Sequence, residues 1–77
     1  MGSKYPILTP KEIIKVLGKF GFTFKSQRGS HAKYIKSFQG IPTRTVIMPM
    51  HNEVAKGTLK SILEQAEISL EEFLSKV

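Results

Sequence analysis

The side chains best suited to chemistry cluster in Arg28-Gly29-Ser30-His31-Ala32-Lys33. An imidazole gains and loses protons near neutral pH, and cations on both sides would draw a phosphodiester to it. RNA can be cleaved without a metal if a base takes the proton of the 2′-hydroxyl, which then attacks the adjacent phosphorus. Histidine is the side chain best matched to that step, acting as general base or acid. His31 is thus the candidate catalytic residue. Arg28, Lys33 and Lys36 are candidates to hold the phosphate and stabilise charge on the phosphorane, and Gly29-Ser30 would bring backbone close to it. The plainer reading of His31, a polar strand residue among cations, stays open beside this one. His51, in Pro49-Met50-His51, is the second histidine. It reads either as a loop donor to a backbone carbonyl or as an auxiliary group beside His31. Two imidazoles alone do not complete a zinc site, so no metal is expected.

Composition removes most rivals. The 77 residues include no Cys and no Asp, and the six Glu are dispersed or gathered near the end of the chain. Disulfide scaffolds and thiol nucleophiles are therefore excluded, magnesium-holding carboxylate cages and paired-carboxylate glycosidases are disfavoured, and a Ser-His-Asp triad lacks its Asp, although Glu could substitute. Walker and dinucleotide-binding glycine motifs are absent, and no cofactor is expected. The formal charge is +6, unevenly spread. Eleven of the twelve Lys and Arg lie between Lys4 and Lys60, opposed there by Glu12 and Glu53, whereas from Ser61 onward four Glu face Lys76. Such a field favours polyanions, nucleic acid above all. The start Met1-Gly2-Ser3-Lys4 has neither a signal-peptide core nor a myristoylation pattern, since Pro6 stands where Ser or Thr would be expected, and no apolar run reaches the roughly 20 residues a membrane span needs. A cytoplasmic protein is the simplest expectation, with one domain over residues 1–77.

The elements that would carry these residues follow from pattern. Thr9-Pro10-Lys11-Glu12 combines an N-cap, Pro at the first helical position and a capping-box Glu. Ile13, Ile14, Val16, Leu17 and Phe20 then line one face of a helix, with Lys11, Lys15 and Lys19 four apart on another. That basic row reads as a solvated face or as a stripe along a nucleic-acid backbone. Gly21 ends the helix. Residues 22–26 alternate as a strand, 27–29 read as a turn, and 31–38 form a second strand with Ala32, Tyr34 and Phe38 on the core side. Lys36 falls on that aromatic side and must snorkel, while Ile35 lies with His31. Residues 39–42 form a second turn and 44–48 a third strand. A loop over 50–57 leads to a helix through Leu59, Ile62, Leu63 and Ala66. Ser69 to Glu72 caps a short last helix ahead of Phe73 and Leu74. The class is α+β: a three-stranded antiparallel meander with helices over one face.

In this order the helix, Gly21-Phe22, Gly29-Ser30-His31 heading the second strand, Pro49-x-His51 after the third, and Gly57-Thr58-Leu59-x-x-Ile62-Leu63 resemble the HicA (YcfA-like) toxin family. The resemblance covers about residues 7–75. It implies a double-stranded-RNA-binding-domain-like fold, α-β-β-β-α with a short extra C-terminal helix, and endoribonuclease (mRNA interferase) activity. It also implies a HicB antitoxin as partner. The family's catalytic histidine falls on His31 and its second histidine on His51. Two positions depart: Glu64 stands where relatives are often basic, and Glu67 where many have a helix-ending Gly. The expected function is a toxin that cleaves mRNA without metal. Its rivals are a non-catalytic RNA-binding module of the same fold and a domain whose basic surface receives an acidic protein.

Overall fold

The structure, a computed structural model, describes residues 5–51 and 53–77; the expectations placed on residues 1–4 lie outside them. Helix α1 spans Pro10–Lys19, strands β1, β2 and β3 span Phe22–Arg28, His31–Phe38 and Ile41–Pro49, and helices α2 and α3 span Lys56–Ala66 and Leu70–Leu74. The sheet is antiparallel in the order β1-β2-β3. The architecture is the expected α+β, double-stranded-RNA-binding-domain-like one.

Local chemistry sets the element ends. The Thr9 hydroxyl accepts the Glu12 backbone N–H at 3.3 Å while the Glu12 carboxylate accepts the Thr9 N–H at 2.8 Å, the reciprocal box expected for α1. Ser69 and Glu72 do the same for α3. Gly21 takes φ +95° after α1, a conformation that costs glycine little.

Ile13, Leu17, Val46, Met48, Leu59, Ile62 and Phe73 are the largest fully buried side chains. The α1 and α2 stripes therefore meet the even-numbered positions of β2 and β3, where Ala32 pairs with Met48 and half-buried Tyr34 with Val46. Phe73 brings α3 into the same core.

Several sequence boundaries move. The first turn is the two-residue loop Gly29-Ser30, not 27–29, because Gly29 at φ +60° lets pairing continue to Arg28↔His31. The second turn narrows to Gln39-Gly40, both at positive φ, and β3 begins at Ile41 rather than at residue 44. Pro42 is tolerated because β3 is an edge strand. Helix α2 starts at Lys56, inside the expected loop.

Phe38, expected in the core, is 68% exposed, and Phe24, on the side of β1 expected to be buried, is 57% exposed. Nine residues of β3 reach about 30 Å whereas ten of α1 reach about 15 Å, so the β2–β3 hairpin end projects beyond the helices. Phe24 lies on the β1 edge and meets Tyr34 edge-to-face at 5.7 Å.

Candidate functional site

His31 opens β2 directly after the Gly29-Ser30 turn, faces Arg28 across the β1–β2 ladder and faces Pro49 on β3. It is exposed, on the sheet face opposite the helices. The pairing of Arg28 with His31 depends on a bulge. Phe22 and Phe24 point toward the helix side, and unbroken alternation would send Ser26 and Arg28 there as well. Phe24 pairs with Tyr34 but Ser26 pairs with Lys33, so Lys25 is an extra residue that reverses the parity. Ser26 and Arg28 thereby join Lys33 and His31 on the open face.

Two depressions meet at His31. One, of about 320 Å³, is lined by Ser26, Arg28, His31, Ala32, Lys33 and Ile47. Arg28 and Lys33 are exposed, and neither has a carboxylate partner among the described residues, where the ion pair formed is Arg44–Glu67 at 3.0 Å. The other is a groove of about 520 Å³ whose walls include His31, Ile47 and Pro49 from the sheet, His51, and Thr58, Ser61 and Gln65 from α2.

Backbone contacts bring His51 to this groove. The Met50 N–H donates to the Ser30 carbonyl at 2.6 Å, tying the chain after β3 to the turn before His31. The Val54 N–H donates to the Leu8 carbonyl at 2.8 Å, which leads the chain on toward α2. Ala55, the N-cap ahead of α2, makes no side-chain cap hydrogen bond, and Gly57 and Thr58 of the helix's first turn line the groove. The positive end of the helix dipole is therefore beside the two imidazoles.

Of the residues singled out from sequence, Arg28, Gly29, Ser30, His31, Lys33 and His51 gather at this end of the sheet. Lys36 does not. It lies five residues along β2 on the opposite face, with its stem against Gly21, where an added Cβ would come within 3.6 Å of the Lys36 Cε. From sequence Thr58 stands only in the helix-two motif, and neither Ser61 nor Gln65 is a site candidate. Their i, i+3, i+7 spacing places them on one polar α2 face, a signal present in the sequence. Gln65 also receives the Ile47 N–H at 3.0 Å, which holds α2 against the outer edge of β3. No group of three His, Cys, Asp or Glu side chains forms a metal-holding cluster among the described residues.

A family model described as HicA toxin of bacterial toxin-antitoxin matches residues 10–68. The chain belongs to the HicA toxin family. Membership makes it the toxin of a toxin–antitoxin system and implies an antitoxin partner. No curated protein matches the chain. The matched span runs from the start of α1 to Ile68 and contains both histidines of this HicA-family chain, whereas α3 lies beyond it. Glu67, the departure from the family's helix-ending Gly, adopts φ 58°, ψ 44°, the left-handed conformation that position demands. Among the described residues no helix is long and apolar enough to cross a membrane.

Proposed function

We propose that this HicA-family toxin is a metal-independent endoribonuclease that cleaves mRNA in the cytoplasm, with His31 as the proton-transferring residue. The observation that carries the reading is the placement of an exposed imidazole where a cationic depression meets a groove with a second imidazole on its wall. The RNA phosphate occupies the depression, held by Arg28 and Lys33 and by the exposed Gly29-Ser30 turn. His31 takes the proton from the 2′-hydroxyl, and the 2′ oxygen attacks phosphorus. The bond to the 5′ oxygen breaks, and that oxygen takes up a proton, a task suited to His51 as auxiliary group. The Arg28 guanidinium and Lys33 ammonium stabilise the negative charge that builds on the phosphorane. Lys36, on the other face, takes no part. The partner that silences the toxin is a HicB-like antitoxin.

The chemistry predicts its products. Purified protein incubated with single-stranded RNA in the presence of a chelator should leave 2′,3′-cyclic phosphate and 5′-hydroxyl ends. A single 2′-deoxy nucleotide at the cleaved position should block the cut. Cleavage that needs an added divalent metal, or that proceeds at the deoxy position, would overturn the mechanism. Tight binding with RNA left intact would establish the non-catalytic module instead.

A further inference from the structure

The cleavage reading leaves three cations of α1 unused. Lys11, Lys15 and Lys19 are exposed and fall four residues apart, so they form a row on one face with a rise of about 6 Å between neighbours. Lys19 donates from Nζ to the Lys76 carbonyl at 2.9 Å, a contact that leaves its charge in place. No ion pair to any of the three is formed among the described residues. Glu12 is the nearby carboxylate on α1, and its Oε1 is engaged by the Thr9 backbone N–H at 2.8 Å and the Thr9 hydroxyl at 3.2 Å.

The row begins where the groove ends. Lys11 lines a shallow depression together with Thr9, Pro10, Met50 and His51, and His51 is also a wall of the groove that contains His31. His51 thus belongs to both surfaces. Glu53, the carboxylate near this junction, shares a separate depression with His51 and the start of α2.

We infer that the α1 row is the outer part of the RNA path: a single strand leaving the His31 groove passes His51 and lays successive phosphates along Lys11, Lys15 and Lys19. The inference rests on the cleavage reading and adds a binding surface remote from the reacting bond. It makes affinity depend on RNA length, because a substrate too short to reach α1 gains nothing from the lysines. A long strand gains counterion release at each contact.

The test compares the double variant Lys15→Gln/Lys19→Gln with a control of equal charge change, Lys25→Gln/Lys60→Gln, on a long single-stranded RNA and on a trinucleotide spanning the same linkage. Gln nearly matches Lys in helix propensity, so α1 is preserved. For the α1 variant, KM on long RNA should rise about tenfold with kcat unchanged. The slope of log affinity against log salt should fall by about 1.4, from two contacts at about 0.7 each. Trinucleotide turnover should match wild type. Equal losses in the control, or equal effects on long and short substrates, would overturn the path. So would unchanged RNA affinity with loss of antitoxin binding, which would assign the row to an acidic protein surface. If the wild type cleaves neither substrate, the catalytic reading fails by itself, and the salt dependence of RNA binding still decides the path.

Discussion

Arg28 and His31 face each other across the β1–β2 ladder because Lys25 is inserted as a bulge between Phe24 and Ser26. The extra residue carries the strand from a helix-facing Phe24 to an open-face Arg28, so a cation is set beside the imidazole. Two outcomes follow. Arg28→Gln should raise KM for RNA several-fold while leaving the fold intact, since the side chain is exposed. Deleting Lys25 should be tolerated, because removing the inserted residue leaves Phe24↔Tyr34 and Arg28↔His31 in register. Circular dichroism and cleavage assays on the deletion check this; an unfolded or inactive protein would contradict it.

The Gln65–Ile47 contact fixes the other wall. A backbone N–H on a sheet edge is otherwise open to water or to another strand. Gln65→Ala should cost about 0.5–1.5 kcal/mol, and the Ile47 amide should exchange with solvent faster than its neighbours on β3. Unchanged exchange at Ile47 would show that the side chain does not hold the edge.

Glu67 carries a backbone penalty. The Ile68 N–H donates to the Leu63 carbonyl at 3.0 Å and the Glu67 N–H to the Glu64 carbonyl at 3.2 Å, a Schellman closure that requires the left-handed residue between them. Its exposed ion pair with Arg44 contributes little. Glu67→Ala and Glu67→Gly both remove the pair, but only Gly relieves the backbone. The Gly variant should therefore be more stable than the Ala variant by about 1 kcal/mol in urea denaturation.

Much of this was legible before the fold. The capping boxes at Thr9 and Ser69, the α1 stripe and the order of three strands follow from residue type and spacing, because helix ends and amphipathic faces are decided locally. The pairing of Arg28 with His31 was not legible. A bulge has no residue signature at Lys25 and emerges from the register that two neighbouring strands settle between them. Phe24 and Phe38 misled for a related reason: alternation tells which side of the sheet a residue faces, not whether a helix is long enough to cover it. The polar α2 wall of Thr58, Ser61 and Gln65 carries no charge that would mark it as a site, although its spacing is readable.

Helix α3 lies beyond the matched family span yet contributes Phe73, which is fully buried. Phe73→Ala should cost about 3–5 kcal/mol, comparable to the whole stability of about 3–5 kcal/mol expected of so small a core. Thermal denaturation should find this variant largely unfolded at room temperature. A well-folded Phe73→Ala protein would mean that α3 is an accessory.

Proton transfer by His31 is tested most directly by the cleavage rate of purified His31→Ala protein, measured on single-stranded RNA with a chelator present and RNA affinity determined in parallel. Because His31 is exposed, the variant should fold and bind RNA as the wild type does, while its rate falls by about 10²–10⁴. Cutting at the wild-type rate by the His31→Ala protein would contradict the account.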